Sequence, residues 1–363
     1  MLPRVDRLRA RLTEQSLSAA LIHNPLNVGY LSGFSGSTAV LAITPAEAVF
    51  ITDSRYAAQA REQCPGFTHA VTPSSGGYGE AVAGEVQRLG ATEWATEGDF
   101  LTVCQHEGLV KSLGEKVPGL TLKPVADLVG MLRRVKDAEE IAATRAACAL
   151  ADRTFAHVLT LLKPGIPERE IAAEMEFFMK REGSEGEAFE TIVASGYRSA
   201  MPHGRASDKR LEEGDFITFD FGGKIGGYCS DLTRTVVLGK ASEEQRKVYC
   251  VVLEAQLAAL QAIRAGLEGK AVDSVARDLI TARGYGEKFG HGLGHGLGRH
   301  VHDHPGFSQR SDLTLEPGMI LTVEPGIYLD GWGGVRIEDD VVVTETGCEI
   351  LTHAPKELIE VPV

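Results

Sequence analysis

The sequence predicts a mixed α/β chain in two parts, a small N-terminal α/β unit followed by a larger α/β (α+β) unit carrying an internal repeat. Three observations predict it: helical and strand patterns alternate over residues 1 to about 125, the texture changes after a charge-dense segment at 132–140, and two Gly-rich segments further on align without gaps. The 363 residues suit two domains of about 150 residues or more. At 43% hydrophobic and 24% charged, the composition is globular, not disordered, collagenous or disulfide-stapled.

Val5, Leu8 and Leu12 recur at helical spacing and predict an amphipathic opening helix, after which Ser18 to Ile22 reads as a short apolar strand. Thr38 to Ile43 and Ala48 to Thr52 flank Thr44-Pro45-Ala46-Glu47 as the two arms of a hairpin. Helical stretches around Tyr56 to Glu62, Gly79 to Leu89 and Leu101 to Leu113 complete the unit. Leu132 to Glu140 then leads into a long Ala-rich helix ending near Leu162, which places the domain boundary at 1–130 and 131–363. Lys163-Pro164-Gly165 ends that helix, and Pro167 opens the next in its first turn, running to about Arg181.

The repeat lies beyond it. Leu211 to Gly222 aligns on Leu315 to Gly326 with identities at Leu, Glu, Gly, Thr and Gly, and in this register Asp220 falls on Glu324. Each segment is followed by a Gly pair and a carboxylate four residues later: Gly226-Gly227 to Asp231, and Gly333-Gly334 to Glu338. Two hairpin-like units thus present two carboxylates each.

Lys plus Arg total 37 and Asp plus Glu total 50, a net charge of −13, so no counterion release is on offer to a nucleic-acid backbone and nucleic acid is excluded as a partner. No apolar stretch approaches the roughly 20 residues of a membrane span, and the charged start MLPRVDRLRARL is no secretory signal, so no membrane partner is expected. Six scattered cysteines without a C-x-x-C pair predict reduced, mostly buried thiols and a cytoplasmic protein.

Phe216 to Phe221 has a strand pattern in which Phe216, Thr218 and Asp220 share one face, and either face could be the buried one. A lone Asp before a Gly turn is ordinarily a surface residue. Asp231, however, opens a β-branched run, and a hairpin turning at Gly222 to Gly227 sets the two carboxylates side by side, where repulsion calls for a proton or a cation. Five of the 11 histidines, His291, His295, His300, His302 and His304, crowd one stretch. His291 and His295 are four apart, but Gly at every second position from 290 to 298 makes a helix costly, so an extended or looped segment is predicted. One His with four carboxylates is an oxygen-rich ligand set suited to two divalent ions, manganese before zinc on ligand softness, able to activate a bridging water.

Asp220, Asp231, His295, Glu324 and Glu338, at spacings of 11, 64, 29 and 14 residues, resemble the five-ligand dinuclear site of the pita-bread (M24) metallopeptidases, in particular their proline-specific branch. The surrounding words agree: Phe219-Asp-Phe-Gly222, Asp231-Leu-Thr-Arg234, His291-Gly-Leu-Gly-His295, Thr322-Val-Glu-Pro-Gly-Ile-Tyr328 and Val335-Arg-Ile-Glu338. Asp53-Ser-Arg-Tyr56 with Gln59-Ala60 resembles the creatinase-type N-terminal domain, so the resemblance covers nearly the whole chain. It implies a creatinase-like domain followed by a pita-bread catalytic domain with pseudo-twofold repeat. It also implies that Asp220 chelates one ion, that Asp231 and Glu338 bridge both, and that His295 and Glu324 complete the second. Glu324 would take the proton of the bridging water. His203, His291 and His302 would act on substrate or on the tetrahedral oxyanion, with Tyr328 and Arg336 in support; His300, His304 and His353 receive no role.

The resemblance further implies a metal-dependent exopeptidase acting on a proline-containing peptide through a hydroxide bridging two divalent ions, Mn first and Co or Zn as alternatives, in a homodimer or dimer-based oligomer. Aminopeptidase P, cleaving an N-terminal Xaa-Pro bond, is the expected activity; the alternative is prolidase, the Xaa-Pro dipeptidase. A prolidase needs a cation for the free carboxylate beyond proline, for which Arg198, Arg205, Arg299 and Arg310 are candidates. A pita-bread binding module without catalysis, or a creatinase, would lose the carboxylate ligands, and all are present.

Overall fold

A computed structural model describes residues 3–73 and 77–363 and, at 304 and 305, the backbone alone. The chain divides into two compact units, Met1–Arg133 and Arg134–Val363.

In the first unit a six-stranded mixed sheet runs in the order Thr68–Thr72, Ala48–Asp53, Val40–Ile43, Ala20–Ile22, Glu93–Glu97, Thr121–Val125. Strand alternation sorts its side chains into two cores. Ala20, Ile22, Leu41, Ile43 and Phe50 meet Val5, Leu8 and Leu12 of the helix Pro3–Glu14 on one face, while Leu21, Val40, Ala42, Val49 and Ile51 meet Val82, Ala83 and Val86 of the helix Tyr78–Leu89 on the other. The predicted hairpin is present, with Ile43 opposite Ala48 across the turn. Strands Glu93–Glu97 and Thr121–Val125 were not foreseen, because each mixes charge with few apolar residues.

The second unit repeats one plan twice. Helices Ala138–Leu159 and Glu168–Arg181 cover a sheet ordered Glu360–Val361, Leu232–Leu238, Phe216–Phe221, Ile192–Ser195, and helices Glu243–Ala262 and Gly269–Ala282 cover a sheet ordered Asp303–Phe307, Gly294–Gly296, Ile320–Val323, Asp339–Val343, Cys348–Ile350. Ile217, Phe219 and Phe221 pack toward the first helix pair; Leu321, Val323, Val341 and Val343 pack toward the second. Each such buried side chain contributes about 1.5–3 kcal/mol. The opposite face of Phe216–Phe221 is buried as well, so Thr218 and Asp220 are only 3% and 8% exposed. Pro167 stands one residue before its helix, as the N-cap, because it bridges to Arg210. Of the six cysteines, all free, three are buried, one half-buried and two exposed.

The two halves are joined by Arg234, which is 1% exposed. Its guanidinium donates to Glu338 O (2.5 Å), to Ala354 O (2.7 Å) and to Asp339 Oδ1 (2.8 Å). Asp339 also accepts from Thr352 Oγ1 (2.9 Å), and Lys356 Nζ lies 3.0 Å from it. A buried charge is tolerable only when so fully partnered. Removing the guanidinium in Arg234→Ala strips Asp339 of its main counter-charge and frees the carbonyls of Thr233, Glu338, Ala354 and Pro355. The second unit should then lose about 3–5 kcal/mol, read as a lower urea midpoint; a wild-type midpoint contradicts this account.

Candidate active site

Strand pairing brings the carboxylates together. Phe216–Phe221 and Leu232–Leu238 are antiparallel with Asp220 opposite Thr233, and a small ribbon of Lys224–Ile225 and Tyr228–Cys229 fills the connection predicted as a simple turn. Asp231 directly precedes its strand, where its N–H donates to Asp340 Oδ2 at 2.9 Å. In the second half Val323 pairs with Asp339, which sets Glu324 and Glu338 just beyond the paired ends. The halves then lock: Glu338 N donates to Thr233 O (3.1 Å), and Thr233 Oγ1 donates to Glu338 Oε2 (2.6 Å).

The His-rich segment is extended, as its glycines predict. His295 lies on the strand Gly294–Gly296, opposite Gly306 on Asp303–Phe307. Gly294 is required there, because a Cβ would sit 2.0 Å from Thr322 O. His295 N donates to Thr322 Oγ1 at 3.0 Å. Its Nδ1 lies 3.2 Å from Gly296 O, and since a carbonyl can only accept, Nδ1 carries the proton. The Nε2 lone pair is therefore aimed at Asp231 Oδ2 and Glu324 Oε1, each 3.5 Å away.

Asp231, His295 and Glu338 offer ligand atoms that all lie within 4.8 Å of one another. Asp231 Oδ1 and Glu338 Oε1 are buried with no hydrogen-bond partner among the described residues. Burial first, and neighbouring carboxylates second, hold the Asp231 and Glu338 carboxyls well above the usual range, and burial pushes Glu324 up to about 8. Acceptors facing acceptors, two of them orphaned, fit one chemical partner, a cation with affinity for oxygen and imidazole nitrogen.

Asp220, Asp231, His295, Glu324 and Glu338 line one cleft of about 570 Å³, together with His203, His291, His302 and Arg336. Arg336, 3% exposed, donates to Asp220 Oδ2 (2.6 Å), Thr233 Oγ1 (3.1 Å) and Tyr328 Oη (2.9 Å), so the carboxylate it orients is Asp220. Tyr328 touches the cluster from behind. Its hydroxyl lies 2.9 Å from His291 Nε2, and because His291 Nδ1 is 2.8 Å from Gly292 O, His291 is the Nδ1–H tautomer and accepts from Tyr328. Burial keeps His291 neutral, lowering its pKa to about 4. His203 and His302 are exposed to the cleft, and the His302 ring meets that of His295 edge to face at 4.5 Å. His300 and His353 are exposed, and the His304 side chain lies outside the described residues.

Sequence reasoning missed Glu168. It is fully buried, and its carboxylate accepts from Ser195 N and Oγ (2.7 and 2.8 Å), Ser207 N and Oγ (3.0 and 2.6 Å) and Arg198 Nε (3.0 Å). Both ends of the loop that carries His203 are thereby tied to one side chain. A carboxylate in a helix's first turn is too ordinary a signal to have revealed it.

Comparison with known proteins settles the family. The model for metallopeptidase family M24 matches residues 142–345, and that for the creatinase/prolidase N-terminal domain matches residues 4–135. The chain belongs to the metallopeptidase family M24. This M24 chain is similar over 99% of its length to the solved Xaa-Pro dipeptidase from Bacillus anthracis, at 43% identity and TM-score 0.94, with 99% of that chain covered. The X-Pro aminopeptidase from Thermotoga maritima is similar at 41% identity and TM-score 0.90, over 99% and 100% of the two chains. The Xaa-Pro dipeptidase of Pyrococcus furiosus is 37% identical over 99% of this chain and 100% of its own. The fold is accordingly a creatinase-like N-terminal domain with an M24 pita-bread domain, and the M24 chain is a metallopeptidase, a hydrolase.

The buried carboxylates make a stability prediction. Without metal, Asp231→Asn relieves repulsion and should melt at or above the wild-type temperature; with Mn(II) at about a hundred times its Kd the wild type gains about 2.7 kcal/mol and the variant far less. Equal metal-induced melting shifts in the two proteins contradict the ligand assignment.

Proposed function

We propose that this M24 peptidase is an Xaa-Pro dipeptidase, hydrolysing the bond between a first residue and a C-terminal proline with two divalent cations, manganese first, held by Asp220, Asp231, His295, Glu324 and Glu338. The observation that carries the reading is the convergence of these five side chains in one cleft, with orphaned carboxylate oxygens and the His295 lone pair pointing inward. Of the relatives described above, the Bacillus and Pyrococcus proteins are named for the dipeptide, which supports prolidase better than the aminopeptidase P expected from sequence. The Thermotoga relative keeps aminopeptidase P as the second reading.

Cations bound there supply Lewis-acid chemistry, polarising the scissile carbonyl and lowering the pKa of water. The chain's own residues do the rest. Glu324, its proton affinity raised by burial, takes a proton from the attacking water and returns it to the proline nitrogen as the C–N bond breaks. That transfer is necessary because an amide nitrogen leaves as the amine only when it is protonated. His203 and His302, exposed to the cleft, donate to the carbonyl oxygen as it becomes an oxyanion, a contribution of about 3–4 kcal/mol for a well-placed donor. His291 accepts from Tyr328, Tyr328 accepts from Arg336, and Arg336 donates to Asp220, so this relay orients the Asp220 carboxylate while His291 lines the cleft.

The test is turnover of Ala-Pro and Ala-Pro-Ala by enzyme stripped with chelator and reloaded with Mn(II). Expected are loss of activity on stripping, recovery on reloading, and preference for the dipeptide; cleavage of the tripeptide alone overturns the dipeptidase reading. Asp231→Ala should lower turnover by several orders of magnitude with circular dichroism intact, and near-normal turnover would reject its role.

A further inference from the structure

Hydrolysis of a dipeptide poses a recognition problem that the catalytic cluster does not solve. The substrate's free carboxylate enters a cleft lined by Glu190, Asp220, Asp231, Glu324 and Glu338, so a cation has to meet it. Two arginines line the cleft. Arg336 has committed Nε to Thr233, Nη1 to Tyr328 and Nη2 to Asp220. Arg205 is different: Nε pairs with Glu190 Oε2 at 2.9 Å, its two Nη nitrogens have no protein partner among the described residues, and its side chain is 77% exposed.

The other three arginines considered from sequence do not line the cleft. Arg198 is spent on Glu168 and on Arg205 O. Arg299 lies over the Tyr228 ring, 5.3 Å from its centroid. Arg310 belongs to the exposed turn after Phe307.

We propose that Arg205 is the specificity residue that receives the free C-terminal carboxylate of the dipeptide, through the two Nη groups left open by its Nε contact with Glu190. The assignment rests on the dipeptidase reading above and extends it. The geometry is suited to the task in three ways. The Arg205 backbone is held from below, since Glu168 grips Arg198 and Arg198 Nη2 donates to Arg205 O, so the guanidinium swings from a fixed point. His203, two residues earlier on the same loop, lines the same cleft, which puts the carboxylate receptor and a group facing the scissile carbonyl on one short segment. Apolar walls from Phe189, Ile192, Val301 and Phe307 offer the pyrrolidine ring a surface without demanding a hydrogen-bond donor from it. A planar guanidinium open at its Nη edge meets a carboxylate with two parallel N–H···O bonds, which an amide or a continuing peptide cannot reproduce.

The experiment compares Ala-Pro with Ala-Pro-amide in the Mn(II)-loaded wild type, Arg205→Ala and Arg205→Lys, with KM and kcat measured separately. Arg205→Ala should raise KM for the dipeptide roughly ten- to a hundredfold, with the ratio of kcat/KM for dipeptide over amide falling by the same factor. Arg205→Lys, which keeps the charge but not the fork, should recover part of that ratio. Because the side chain is exposed, both variants should melt as the wild type does. An unchanged ratio in Arg205→Ala, in a wild type that cleaves the dipeptide, overturns the assignment alone; a wild type that does not cleave Ala-Pro overturns the dipeptidase reading and the assignment with it.

Discussion

Four carboxylates and an imidazole lone pair turned toward one another inside a protein are an unstable arrangement on their own. Like charges a few ångströms apart in a medium poorer than water in screening repel strongly, and the group either takes up protons or acquires cations. The raised proton affinities of Asp231, Glu324 and Glu338 and the orphaned oxygens of Asp231 and Glu338 express that constraint. Much of the second unit serves to hold the repelling groups in place. Arg234 and Thr233 clamp the strand that Asp231 precedes to the segment of Glu338, and Arg336 pairs with Asp220.

The duplicated plan explains how so few contacts suffice. Each half lays an amphipathic helix pair on one face of a sheet and leaves the other face for polar residues. Thr218, Thr235 and Arg336 make the seam between halves, with Thr218 Oγ1 3.1 Å from Thr235 Oγ1 and Thr235 Oγ1 donating to Arg336 O at 3.0 Å. Geometry at the cleft is thus set by backbone register, and loops such as the one held by Glu168 add what faces substrate.

The four carboxylates that the structure brings into one cleft stood out in the sequence because their pattern is redundant, a repeat and two Gly pairs marking the same residues, while His295 was marked by the His-rich, Gly-spaced stretch and the family resemblance. The hairpin of the first unit was equally plain, since Ile43 and Ala48 flank a four-residue turn that leaves one register. Helices Glu243–Ala262 and Gly269–Ala282 escaped notice among strand-like runs, although Ser242 and Gln245 form a capping box that announces the first. Glu168 was not recoverable and Arg205 stood only as one of four candidate arginines, because their partners lie 27 to 39 and 15 residues away and only the folded loop brings them together. Peptide preference was the least legible, since the sequence offered four arginines for the substrate's far end and no spacing that placed any of them.

The most direct measurement is anomalous diffraction from crystals of the full chain grown with Mn(II). The account predicts two strong peaks about 3.5–4 Å apart, between the carboxylates of Asp220, Asp231, Glu324 and Glu338, with His295 Nε2 on one of them. No anomalous density in that cleft, or ions ligated elsewhere with these five side chains unengaged, contradicts it.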